Sequence, residues 1–210
     1  MSQIKHVSFD LDGTLIDSIH TMKVAWESSM VALNLNCGFS EYKKYVGVPF
    51  PTILELLNLS SYEKDLSELY FSHTKRLAGD VKIFYGVSDV FTWASKIGIS
   101  TSIITAKPRE NTKILCDRLN IPVDFLVCGD DHRQGKPNAF VADTVLKKFE
   151  VLPDEVLYVG DMVVDFQFAL NVGMNFVFFD GNGINRLPVN LVNQIDTISC
   201  LTELMSYSSS

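Results

Sequence analysis

The sequence has no Cys-x-x-C pair, no basic excess and no long uncharged apolar run. Its four cysteines, Cys37, Cys116, Cys128 and Cys200, are scattered. That spacing excludes a zinc-ribbon site and the dense disulfide framework of small secreted domains. They read as buried small hydrophobes of a protein of the reducing cytoplasm. Eighteen Lys+Arg against 25 Asp+Glu leave a formal charge of −7, which speaks against a nucleic-acid binder held by phosphate contacts. No segment reaches the ~18 uncharged apolar residues of a membrane span. Asp10, Asp12 and Asp17 interrupt what would have to be the apolar stretch of a secretory leader.

What is present is enough apolar material for a large core: 47% of 210 residues are hydrophobic. Short apolar runs at His6–Phe9, Ser100–Ile104, Val123–Val127, Val156–Val159 and Asn175–Phe179 read as strands. Helical spacing separates most of them, at Val87–Lys96, Arg109–Leu119, Ala139–Phe149 and Val164–Val172. Strands apolar on both faces and alternating with helices predict an α/β fold, a Rossmann-like parallel sheet flanked by helices. Residues 16–81 break the alternation. Met22, Trp26, Met30 and Leu33 share one helical face, and Ile53, Leu54, Leu57, Leu66, Leu69, Tyr70, His73 and Leu77 continue the pattern. This predicts a small inserted helical cap over 16–81, with 1–15 and 82–210 forming the core domain. The tail after Asn182 reads as polar, and Ser206–Ser210 as a frayed end.

The chemistry stands where the apolar runs end, the edge at which open α/β sheets bind ligands. Phe9 is followed by Asp10-Leu11-Asp12-Gly13-Thr14, and strand alternation lets Asp10 and Asp12 share one space. The second run ends at Thr105, Lys136-Pro137 follows the third, and the fourth leads into Gly160-Asp161 and Asp165. Taken singly, Thr105 is a β-branched strand residue, Lys136 a solvated lysine, and Asp165 a helix cap. Together they bring carboxylates, a hydroxyl and an ammonium to one sheet edge.

This constellation resembles the haloacid dehalogenase superfamily, most of whose members are phosphatases. Its four motifs stand as Asp10 to Thr14, Ile103-Ile104-Thr105, Gly135-Lys136-Pro137 and Gly160-Asp161 through Asp165. The insert sits where that superfamily carries an alpha-helical cap. Thr105-Ala106-Lys107-Pro108, Gly129-Asp130-Asp131 and Gly135-Lys136-Pro137 are most similar to the phosphoglycolate phosphatase group. The resemblance implies Mg2+ as cofactor, a small phosphorylated metabolite as substrate, and an aspartyl phosphate on Asp10. It implies that Asp10, Asp161 and the Asp12 backbone carbonyl hold the metal, with Asp165 ligating directly or through water. The Asp12 side chain would serve as general acid and base, protonated while Asp10 is anionic. Thr105, with Ala106 beside it, and Lys136 would bind the phosphoryl group. Ala106 replaces a usual Asn, Tyr85 stands before Gly86 where Pro is usual, and Asn138-Ala139 lacks a second proline. These departures bear on substrate rather than reaction.

Several residues carry open alternatives. Lys107 and Arg109 either touch phosphate or face solvent in a first helical turn, and Lys43, Lys44 and Tyr45 either contact substrate from the cap or form a solvated face. His6, His20, His73 and His132 form no ligand cluster by spacing. Gly129 to Lys136 fails as a nucleotide phosphate loop, and Gly181-Asn182-Gly183, with Arg186 in the third glycine's place, fails as a dinucleotide fingerprint. Three other functions compete with the phosphatase. A sugar phosphomutase is disfavoured by Thr14, where those enzymes often have Val, and a dehalogenase by the acid at Asp12. A non-catalytic ligand-binding homologue is disfavoured by the complete set of motif residues.

Overall fold

The computed structural model describes residues 3–209 apart from 133, 182, 184–186, 189–190 and 192–193. In chain order the elements are β1 (His6–Phe9), β2 (Ile16–Asp17), α1 (Ile19–Ala32), α2 (Phe39–Lys43), α3 (Phe50–Leu56) and α4 (Glu63–Arg76). Then come β3 (Lys82–Ile83), α5 (Val87–Lys96), β4 (Ser100–Ile104), α6 (Arg109–Leu119), β5 (Phe125–Val127) and α7 (Asp143–Phe149). The last are β6 (Val156–Gly160), α8 (Val163–Val172), β7 (Asn175–Phe179) and β8 (Thr197–Ile198).

Six strands form a parallel sheet in the order β5-β4-β1-β6-β7-β8. Alternation along each strand sends apolar side chains to both faces. Val7, Phe9, Ile103, Leu157 and Val159 join Val87, Phe91 and Leu115 in one buried cluster. Ile104, Val127, Val156 and Tyr158 meet Val145 and Phe168 in another. Helices therefore cover both faces, as the apolar runs predict. Successive crossovers run from β1 outward to β4 and β5, then return to β6 on the other side. The order thus reverses at β1, where such sheets open a crevice beyond the strand ends.

A polar stripe on the α7 side explains one histidine. His6 is fully buried, with Nδ1 2.7 Å from Ser100 Oγ and Nε2 2.8 Å from Ser102 Oγ, and the Phe149 ring 4.5 Å away. Burial lowers its pKa to about 4, against the weaker opposing pull of Asp124. A neutral imidazole satisfied on both nitrogens costs little to bury.

Helices α1 to α4 bury their own cluster around Trp26, whose ring stacks on Tyr42 at 4.3 Å and donates from Nε1 to Cys37 O. Phe50 stacks on Tyr70 at 4.9 Å. The chain leaves and re-enters the sheet through a two-stranded antiparallel ribbon, Ile16 opposite Ile83 and Asp17 opposite Lys82.

Several expected boundaries shift. The helix expected over Ala139–Phe149 starts as a 3-10 turn, Ala139–Ala142, because Asn138 accepts from the Phe140 N–H instead of an α turn. The strand expected from Val123 begins at Phe125, since Asp124 uses its carboxylate on the Thr101 N–H. The tail after Asn182 is not merely polar. Leu187, Ile195, Ile198, Leu201 and Leu204 are buried, β8 extends the sheet, and a 3-10 helix runs over Leu201–Ser209, through most of the expected frayed end. Asn182, Arg186 and Ser210 lie outside the described residues. Among the described residues no helix is long and apolar enough to cross a membrane.

Candidate active site

The site begins where β1 stops. The Asp10 N–H donates to Val159 O at 2.9 Å, and the chain then reverses, with the Gly13 N–H on Ile16 O at 2.8 Å. Gly13 holds φ +94°, and a Cβ there would stand 2.2 Å from Asp161 Oδ2. Glycine is needed for both the backbone conformation and the approach of Asp161. Thr14, fully buried, donates to Asp161 Oδ1 at 3.1 Å.

Lys136 reaches the same point from the loop after β5. Its ammonium has three hydrogens and three buried acceptors: Asp10 Oδ1 at 2.6 Å, Asp165 Oδ1 at 2.7 Å and Tyr158 Oη at 3.0 Å. Asp165 is held on its other oxygen by the Met162 N–H at 3.0 Å, and Tyr158 Oη lies 3.2 Å from Ile104 O, to which it donates. Charge is not balanced here. Asp10, Asp161 and Asp165 bring carboxylate oxygens within 4.8 Å of one another, all buried, against one ammonium among the described residues. Burial pushes the Asp10 pKa up to about 7 although Lys136 opposes this, and burial with the neighbouring carboxylates raises that of Asp161 well above its ordinary range. Burial alone would lower the Lys136 pKa; Asp10 and Asp165 outweigh it and hold the ammonium charged. Hard oxygen donors in surplus negative charge fit a magnesium ion, which such a site would hold on carboxylates.

Asp12 faces elsewhere. Ser18 donates to its Oδ1 at 2.6 Å, and Lys107 Nζ lies 3.2 Å from its Oδ2. Thr105, tied to β5 by its N–H on Val127 O, accepts the Lys107 N–H at 3.2 Å on its hydroxyl. A Cβ on Gly129 would meet Ala106 O at 2.0 Å, so glycine lets these two loops touch. Two small cavities lie between sheet edge and helices. One of about 40 Å³ is lined by Asp10, Asp12, Thr105, Ala106 and Lys107 together with Tyr42, Phe50 and Tyr70. The other, of about 50 Å³, is lined by Asp12, Asp161, Lys43 and Phe84 among others.

The structure therefore brings Asp10, Asp161, Asp165 and Lys136 into direct contact or close approach, and places Asp12, Thr105 and Ala106 on the adjoining cavity. Lys107 is not a solvated first-turn residue: it is buried on Asp12, the carboxylate that pairs with it among the described residues. Arg109 is engaged away from this edge, by Asp131 and Leu126 O. Lys43 lines the outer cavity, Lys44 forms an exposed pair with Glu41 at 2.6 Å, and Tyr45 packs against the helical cluster. Sequence reasoning placed Thr14 in the first motif without its bond to Asp161, and missed Ser18 and Tyr158. Tyr158 sits inside an apolar run, where only its hydroxyl could have marked it.

Comparisons with known proteins agree with this architecture. A family model described as haloacid dehalogenase-like hydrolase matches residues 7–179. A phosphoglycolate phosphatase of Pseudomonas savastanoi pv. phaseolicola is 29% identical, over 96% of this chain and 78% of its own length. A relative from Caldanaerobacter subterraneus that carries a pyrophosphatase name is 30% identical, over 83% of this chain and 81% of its own. The crystal structure of a hydrolase from Pseudomonas syringae superposes with a TM-score of 0.84 at 21% identity, covering 97% of both chains. With its parallel sheet, its helical insert and its sheet-edge carboxylates, the chain belongs to the haloacid dehalogenase-like hydrolase family.

Proposed function

We propose that this enzyme is a magnesium-dependent phosphatase that hydrolyses a small phosphomonoester through an aspartyl phosphate on Asp10. The observation that carries this reading is the buried Lys136 ammonium shared by Asp10 and Asp165, beside Asp161 and in surplus negative charge. The names of the relatives, a phosphoglycolate phosphatase and a pyrophosphatase, agree on hydrolysis at phosphorus and differ on the bond broken, an ester in one and an anhydride in the other. Residues 16–81 act as the cap and 1–15 with 82–210 as the core. The four free cysteines fit a reducing cytoplasm.

Asp10, Asp161 and the Asp12 backbone carbonyl would hold the magnesium, with Asp165, fixed on both oxygens, ligating or holding a water. When bound, the ion neutralises charge on the phosphoryl oxygens. Lys136 fixes the orientation of Asp10 through Oδ1, leaving Oδ2 as the attacking atom. Thr105 and the Ala106 backbone, on the cavity floor, receive the phosphoryl oxygens. Asp12 protonates the leaving oxygen and then takes a proton from the water that opens the acyl phosphate. Ser18 donates to one of its oxygens and Lys107 pairs with the other, and the two hold the carboxyl in place beside the cavity. The cap closes this space to water during transfer.

The test is phosphate release from an aryl phosphate in magnesium and in EDTA, for the wild type and Asp10→Asn. Release that needs magnesium and disappears in the variant is expected. An active Asp10→Asn protein would remove Asp10 from the nucleophile's role.

A further inference from the structure

Two tyrosines of the helical insert reach the cavity that Asp10, Asp12 and Thr105 line from the other side. Tyr42 comes from α2 and Tyr70 from α4. Each ring is only 2% exposed and clamped by a stacked aromatic neighbour, Trp26 on Tyr42 and Phe50 on Tyr70. Their hydroxyls lie 2.9 Å apart and are each other's sole hydrogen-bond partners among the described residues. Two hydroxyls carry two hydrogens, and one bond between them uses one. Whichever oxygen donates, one buried O–H is left without an acceptor. Such a group is costly to bury unless something fills its place. The Asp12 carboxylate is near enough to help raise the pKa of both phenols, though burial is the larger cause, so both remain protonated donors.

Resting on the phosphatase reading, we infer that the Tyr42–Tyr70 hydroxyl pair is the leaving-group subsite, donating its spare hydrogen to an uncharged oxygen of the substrate. The ligand class is a phosphomonoester whose small leaving group carries a neutral hydroxyl or carbonyl oxygen close to the ester carbon. The rest of the insert's side of this cavity is apolar, with Met22, Val48, Phe50 and Ile53, and suits the carbon skeleton. A second anion on the leaving group would face the carboxylates of Asp10 and Asp12, and the cation beside them, Lys107, is already paired with Asp12, in a space otherwise lined largely by apolar groups. The stacked rings cannot turn away, so the donor is fixed before substrate arrives.

The experiment compares kcat/KM in magnesium for 2-hydroxyethyl phosphate, its methyl isostere n-propyl phosphate, and 2-phosphoglycolate, with an aryl phosphate as reference. The wild type should favour 2-hydroxyethyl phosphate over n-propyl phosphate by about ten- to a hundredfold, the discrimination of one buried donor left unpaired. It should also favour it over 2-phosphoglycolate. In the isosteric double variant Tyr42→Phe/Tyr70→Phe, which keeps the ring stacks, the ratio for the first pair should fall to near one. A wild-type ratio near one overturns the subsite without any variant having to fold. A ratio that survives the double substitution, or a preference for 2-phosphoglycolate, overturns it as well. If the aryl phosphate is turned over in these cases, only the subsite falls. If no phosphomonoester is hydrolysed, the phosphatase reading falls and the subsite with it.

Discussion

Substituting Gly13 by alanine separates backbone strain from damage to the site. A Cβ at Gly13 would lie 2.2, 2.6 and 2.8 Å from Oδ2, Cγ and Oδ1 of Asp161. All three carboxylate atoms are inside contact distance, so the whole group must retreat by about 1 Å to restore ordinary packing. A misplacement of that size in a reacting constellation costs about a hundredfold in rate. Alanine at φ +94° adds strain of about 1–2 kcal/mol. Gly98 is the matched control: it holds φ +76°, but a Cβ there meets nothing within 4 Å. Both variants should lose about 2–8 °C in Tm from the strain alone. Gly98→Ala should keep its turnover, whereas Gly13→Ala should lose about two orders of magnitude in kcat and bind magnesium more weakly. Scanning fluorimetry and aryl phosphate turnover read the two effects independently. A Gly13→Ala enzyme with wild-type kcat and magnesium affinity would refute the placement of Asp161.

Three other outcomes follow from the buried charges. In EDTA, Asp10 folds preferentially as the acid, because its pKa rises from 3.8 to about 7. Its stabilising contribution is full below the ordinary carboxylate range and lost as pH rises through about 7, amounting to at most about 4 kcal/mol. Urea melts at pH 5 and pH 8 should show the metal-free protein weakening with pH, and magnesium should offset most of the loss at pH 8. Lys136→Met removes the cation that holds Asp10 down and leaves three buried carboxylates without it. It should abolish turnover and cost about 3–5 kcal/mol at pH 8, and less at pH 5, where the carboxylates can protonate. Tyr158→Phe deletes the third acceptor of Lys136 and the bond to Ile104 O. A stability loss of about 1–2 kcal/mol by chemical melts is expected, with turnover reduced but not lost.

The parallel sheet was legible because its central strands are apolar on both faces and its crossovers have helical spacing. Phe9, Ile103 and Val159 fall on one face in register, as their alternation requires. The acidic cluster was legible because Asp10 and Asp161 immediately follow strands that become neighbours. What escaped was whatever depends on packing between distant segments. Lys107 reads like any first-turn lysine until α1 and the Thr105 loop bring it to Asp12. The ribbon of β2 and β3 and the strand β8 have two residues each, too few for a period to register. The tail after Asn182 spaces its apolar residues widely, and only the folded chain gathers Leu187 and Ile195 against Phe178.

The central claim is that phosphate passes through Asp10 and that Asp12 governs its release. Asp12→Asn enzyme mixed with an aryl phosphate and magnesium, then acid-quenched for intact-mass and peptide analysis, tests both at once. An aryl leaving group needs little acid help, so the first transfer should proceed while the second, lacking its base, stalls. The account predicts one added phosphoryl group on the peptide containing Asp10, and none when Asp10→Asn is combined with Asp12→Asn. A phosphoryl group on any other residue, or turnover by the double variant at the rate of Asp12→Asn alone, would contradict it.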